Sequence, residues 1–85
     1  MRRTLHIIRR PNDPLALEAI EQERTVHEVV VLLIQDGVLT TVHPSAETYV
    51  GAADVQARGL HSPFKQANYP EICRLILEAQ RVVVW

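Results

Sequence analysis

The feature that most constrains this fold is an unbroken apolar run, residues 29–34 (VVVLLI), which stops at the polar turn Gln35-Asp36-Gly37. A strand with one solvent-facing side would alternate apolar and polar residues, whereas a continuous run indicates a strand that is covered on both faces. Such strands lie at the centre of parallel sheets between two helical layers. Because binding sites in these sheets form at the carboxyl ends of the strands, this turn is a candidate functional region.

The remaining pattern alternates strands with helices. Strands are predicted at 4–9, 47–51 and 81–85, helices at 14–24 and 52–58 and again after residue 68, and a weak edge strand within 61–67. Residues 38–43 fit either a short helix or an extended segment. Alternation of this kind implies crossovers that build a parallel sheet. Residues 1–85 are therefore predicted to form one small three-layer α/β domain, flavodoxin-like, with a mostly parallel sheet of four or five strands.

Local signals predict where the helices begin and end. Asp13 suits an N-cap, and Pro14 suits the first helical position. Asn68 followed by Glu71 resembles a capping box, and Gly59 suits a left-handed cap after the second helix. The predicted buried stripes are Leu15, Ala16, Ala19 and Ile20 in the first helix and Ile72, Leu75, Ile76 and Ala79 in the last.

Composition narrows the class of protein. The net charge of -1 argues against a dedicated nucleic-acid binder. No segment approaches the roughly 20 apolar residues of a membrane span, and a cytoplasmic location is expected. A chain of 85 residues has little core, so a partner subunit would add buried surface. The last strand is apolar and Trp85 closes the sequence, which predicts a subunit contact at this tryptophan and an oligomer when the chain is alone.

Two positions are candidates for chemistry or contact. Cys73 is the only thiol, and it lies within a helix rather than at the N-cap that would favour a thiolate. It is interpreted as a packing residue, with a catalytic thiol as the weaker reading. Asp36 is either a carboxylate at a subunit contact or a turn residue, with Gly37 supplying a positive φ.

The basic residues and histidines give weaker evidence for a functional site than Cys73 and Asp36 do. Arg9 and Arg10 are candidate anion-binding residues, and Arg2 and Arg3 could join them in one patch. His6 falls inside the first strand and is interpreted as a satisfied buried histidine. The four histidines show no ligand spacing, and one cysteine cannot build a structural zinc site, so neither a metal nor a cofactor is predicted.

Several segments together resemble one family. They are the Leu-His strand at 5–8, the Gln-Asp-Gly segment at 32–38, the Ala-Arg-Gly-Leu segment at 49–60, the helix start at 69–75 and the closing Trp85. These segments are similar to the DsrE/DsrF/DsrH family, in its DsrH/TusB branch, over nearly the whole chain.

The resemblance implies a flavodoxin-like fold and a role in sulfur relay. TusB-like subunits assemble with TusC- and TusD-like subunits and pass persulfide sulfur toward 2-thiolation of the tRNA wobble uridine. DsrH-like subunits assemble with DsrE- and DsrF-like subunits in sulfur oxidisers. The principal sulfur-carrying cysteine belongs to the TusD- or DsrE-like partner, and contact with tRNA is indirect. Some DsrH proteins carry a cysteine in the first helix, whereas residues 14–24 contain none.

Three hypotheses follow from the sequence. The first is a non-catalytic subunit of a sulfur-relay complex, with Asp36 and Gly37 helping to form a subunit contact. The second is a persulfide carrier that uses Cys73 directly. The third is a small oligomer outside sulfur metabolism that binds an anion through Arg9 and Arg10.

Overall fold

The computed structural model describes residues 2–85 as five strands and three α-helices, with one short 3₁₀ helix. In chain order they are β1 (Arg3–Ile8), α1 (Pro14–Glu23), β2 (Glu28–Leu33), the 3₁₀ helix (Gln35–Leu39), β3 (Glu47–Gly51), α2 (Ala52–Ala57), β4 (Lys65–Ala67), α3 (Tyr69–Glu78) and β5 (Arg81–Val84). The segment whose structure the sequence left open is therefore a 3₁₀ turn followed by irregular chain.

The five strands form one sheet in the order β4-β3-β2-β1-β5. Every neighbouring pair is parallel, which confirms the predicted α/β fold. The strand with the continuous apolar run, β2, is central, and Val31 in it is fully buried. The chain adds β2, β3 and β4 in one direction and then returns across the sheet to place β5 beside β1.

The helices cover the two faces of the sheet unequally. One apolar cluster joins strand residues such as Val31 and Leu33 to Ile20 of α1 and Val55 of α2. The cluster on the other face joins strand residues to Leu75 of α3. Two helices and the 3₁₀ helix thus cover the first face, and α3 alone covers the second.

Because α3 is a single helix, part of the sheet face that it covers remains exposed. The predicted buried stripe of α3 was therefore wrong at one position. Ile76 was expected to be buried but is exposed, as is Leu77 beside it at 84%. Val82 and Val84 pair in register with Leu5 and Ile7 and so share that face, yet Val84 is 58% exposed. We call Ile76, Leu77, Val82 and Val84 the α3–β5 surface.

The predicted N-cap of α1 is confirmed. The Asp13 carboxylate accepts hydrogen bonds from the backbone N–H groups of Leu15 and Ala16 at 3.1 and 3.2 Å. The buried apolar stripe of α1 is narrower than predicted, because Leu15 is exposed while Ala16 and Ile20 are buried.

The caps of the later helices also form as predicted. Asn68 and Glu71 make the reciprocal capping box at the start of α3. Gly59 adopts φ of 61° just after α2, the left-handed conformation that glycine takes without steric cost.

Candidate functional site

The turn after β2 is tightly fixed against β1. Gly37 is buried, and a Cβ added there would overlap the Ile8 carbonyl oxygen and lie 3.0 Å from the carbonyl carbon. The positive φ belongs to Gln35, at 52°, and not to Gly37 as the sequence suggested. Glycine is required at position 37 because the two backbones approach closely.

Asp36 stands on this turn with an exposed side chain. Its Oδ1 accepts hydrogen bonds from Arg58 Nη2 and Nε at 3.0 and 3.2 Å. Arg58 also donates to the Asp54 carbonyl oxygen, so the pair connects the turn after β2 to α2, which follows β3. An exposed pair of this kind contributes little stability, about 0–1 kcal/mol, and its groups are accessible to a partner.

The four amino-terminal arginines lie at opposite ends of β1. Arg3 pairs with Glu28 and Glu78 at the amino end. At the carboxyl end, Arg9 Nε donates to the Trp85 main-chain oxygen at 2.8 Å, and Arg10 donates to Asp13 at 2.9 Å. The structure therefore does not assemble one four-arginine patch. Arg9 and Arg10 remain adjacent, each with an internal acceptor.

His6 is buried in β1, at 2% exposure, and both of its ring nitrogens are occupied. The Trp85 indole N–H donates to Nδ1 at 3.0 Å. Because indole is a donor only, Nδ1 must accept, and Nε2 carries the proton that is donated to Glu23 Oε1 at 2.7 Å. The planes of the two rings lie 17° apart, with the ring centroids separated by 6.1 Å. His6 is thus a satisfied buried histidine that joins α1 to Trp85.

Glu23 is the centre of this network. Its Oε2 accepts from the Thr4 hydroxyl at 2.6 Å and lies 3.4 Å from His27 Nδ1. Burial raises the pKa of the Glu23 carboxyl, but the hydrogen bonds from Thr4 and His6 and the charge of Arg81 outweigh burial, and the net pKa lies below its usual value. Glu23 is therefore an anion held against the sheet.

Sequence reasoning missed Glu23, although a signal was present. Ala16 and Ile20 are the buried positions of α1, and position 23 continues the same helical stripe. A carboxylate on a buried stripe requires partners, and His6 and Thr4 lie on the adjacent strand face to supply them.

The other two predicted site residues lie apart from each other. Trp85 is half-buried because its ring packs against His6 and the cluster under α1 and α2, so it is covered more than the sequence predicted. Cys73 is half-buried in α3, which covers the opposite face of the sheet. The structure does not place the thiol in the His6–Glu23–Trp85 network.

Within residues 2–85, no group of three His, Cys, Asp or Glu side chains is placed to hold a metal ion. In the same range, no helix has the length and apolar character needed to cross a membrane. No family model matches the chain, and no curated protein matches it significantly.

Proposed function

We propose that this chain is a non-catalytic, partner-binding subunit of a sulfur-relay complex of the DsrE/DsrF/DsrH type. Its partners would be TusC- and TusD-like or DsrE- and DsrF-like subunits, and the relay would carry persulfide sulfur toward tRNA wobble-uridine 2-thiolation. The five-stranded parallel sheet agrees with the fold that the family resemblance implies. The observation that carries the proposal is the α3–β5 surface, which the chain leaves uncovered.

This surface has two properties of a subunit contact. It comprises the exposed apolar side chains of α3 and of β5, which follow one another in the chain, and exposed apolar surface marks interaction sites. It also borders β5, an edge strand whose outer backbone groups have no neighbouring strand. Uncovered edges of this kind pair readily with another chain.

A second, charged contact is proposed at the carboxyl edge of the sheet, beside α2 and on the other face of the sheet from α3. Asp36 and Arg58 are paired there and project from a turn that Gly37 holds rigidly against β1. Asp36, Gly37 and Trp85 remain the residues predicted from the sequence for this contact.

The setting of Cys73 favours a supporting role over a sulfur-carrying one. The thiol is half-buried in the middle of α3, away from the N-terminal N–H groups that stabilise thiolates. The guanidinium of the neighbouring Arg74 is directed to Glu78, at 3.1 Å. The persulfide would therefore be carried by the partner's cysteine.

Affinity capture of a tagged chain, co-expressed with a TusC-like and a TusD-like subunit, tests this proposal. Val84→Glu should reduce capture by more than about tenfold, since a charge would be buried in the interface. Leu15→Glu, on α1 and equally accessible, is the matched control and should bind normally. Capture of neither partner by the unmodified chain would remove the proposal, and so would equal capture by the two variants when circular dichroism shows both folded.

A further inference from the structure

The sheet has two free edges, and they differ in how well they are protected against pairing with another chain. The β4 edge is short and begins with Lys65, and both features are typical of edge strands that avoid such pairing. The β5 edge consists of Arg81 followed by three valines, which are residues that favour strands. The β5 edge is therefore the one to which another strand can be added.

The backbone of β5 presents two residues to this free edge. The Trp85 N–H donates to the Ile7 carbonyl oxygen at 2.9 Å, so the backbone of Trp85 faces β1. Because the backbone groups of successive residues point to alternate sides of a strand, Val83 also faces β1, whereas Val82 and Val84 face outward. Within residues 2–85 no strand lies beyond β5, so the N–H and C=O groups of these two valines have no strand to pair with.

We propose that β5 pairs antiparallel with β5 of a second copy of the chain, so that the two five-stranded sheets join edge to edge. A twofold axis at Val83 brings Val82 of each copy opposite Val84 of the other. This register pairs both outward-facing residues of one copy with both of the other, and their N–H and C=O groups form four hydrogen bonds across the axis. A register shifted by two residues pairs only one of these valines with its counterpart.

The side chains that face each other in this register are compatible. Val82 and Val84, at 40% and 58% exposure, become cross-strand neighbours, and apolar β-branched pairs stabilise antiparallel strands. Arg81 lies opposite Trp85 of the second copy rather than opposite another arginine, and an indole ring attracts a guanidinium. The edge is thus complementary to itself, as a contact between identical copies about a twofold axis requires. Self-complementarity favours a second copy over an unrelated chain.

Engineered disulfides test both the contact and its register. In a Cys73→Ser background, Val83→Cys places two thiols on the axis, where the facing Cα atoms are about 4.5 Å apart and can be bridged. Val84→Cys is the matched control, because the two copies of this residue are diagonal neighbours about 7–8 Å apart, beyond the reach of a disulfide. After mild oxidation, a non-reducing gel should show at least about tenfold more covalent dimer for Val83→Cys than for Val84→Cys.

Random collision predicts the opposite order, since the side chain at position 84 is the more exposed of the two. Equal yields, a higher yield for Val84→Cys, or no covalent dimer from Val83→Cys would each overturn the proposal.

Amide hydrogen exchange of the unmodified chain tests the same contact without a substitution. At millimolar concentration the Val82 and Val84 N–H groups should exchange at least about tenfold more slowly than in an unstructured peptide, because each is hydrogen-bonded across the axis. Unprotected exchange at both valines would refute strand pairing even if the chain is dimeric. This inference goes beyond the proposed function, since it concerns the chain alone: the capture of partner subunits can fail while these two measurements succeed, and the reverse also holds.

Discussion

Replacing Gly37 with alanine tests the packing that fixes the turn carrying Asp36. The added Cβ would overlap the Ile8 carbonyl oxygen, which already accepts a hydrogen bond from the Ile34 N–H at 3.0 Å. Both overlapping groups belong to the backbone or are rigidly attached to it, so no side-chain rotation can relieve the contact. The end of β1 and the start of the 3₁₀ helix must move apart.

The magnitude follows from these two consequences. Overpacking in a well-packed region costs about 1–3 kcal/mol, and weakening one backbone hydrogen bond adds about 1 kcal/mol. We therefore expect Gly37→Ala to lower the free energy of unfolding by about 3 kcal/mol. A domain of this size has a total stability on the order of 5–10 kcal/mol, so the variant should fold but unfold at much lower urea concentration.

Urea unfolding followed by the fluorescence of Trp85 measures this difference, with Gly59→Ala as the matched control. A Cβ at Gly59 meets no atom within 4 Å, so its only cost is the positive φ, about 1–2 kcal/mol. The reasoning is refuted if the two alanine variants lose equal stability, or if Gly37→Ala unfolds at the same urea concentration as the unmodified chain.

Three further predictions concern titration, reactivity and assembly. The pKa values of the Asp13 and Glu23 carboxyls are lowered in the folded chain. The stabilisation that these carboxylates provide is therefore present above the usual carboxyl pKa range and is lost as pH falls through the lowered values. The urea concentration at the unfolding midpoint should decrease steadily below about pH 5, and it should decrease less steeply in Glu23→Gln. Cys73 should react with iodoacetamide at pH 7 more slowly than free cysteine, and faster labelling of the native chain would restore the carrier hypothesis. Sedimentation equilibrium at low micromolar concentration should give the mass of a homodimer or a larger species, and Val84→Glu should shift that mass toward the monomer. A clean monomer mass for the unmodified chain would contradict self-association through the exposed α3–β5 surface.

The parts of the fold that local patterns control were predictable. The continuous apolar run identified the central strand, and Asp13, Asn68 and Gly59 identified helix ends because capping depends on neighbours within a few residues. The exposure of Ile76 was not predictable from its helical spacing. It depends on α3 being the one helix that residues 2–85 place on that face of the five-stranded sheet.

The site was less predictable because its members are distant in sequence. His6, Glu23 and Trp85 belong to β1, α1 and the end of the chain, and only the placement of β5 beside β1 brings them together. The need for glycine at position 37 likewise arises from contact with Ile8, not from the local turn. No local pattern reports contacts over such separations.

Transfer of labelled persulfide sulfur in a reconstituted relay tests the central claim most directly. The assay would combine this chain with TusC- and TusD-like subunits and a sulfur donor, and would follow label arriving on the final acceptor. The account predicts that transfer falls sharply when the chain is omitted and is restored equally by the unmodified chain and by Cys73→Ser. Transfer that is unaffected by omission of the chain, or that Cys73→Ser fails to restore, would contradict a non-catalytic subunit role.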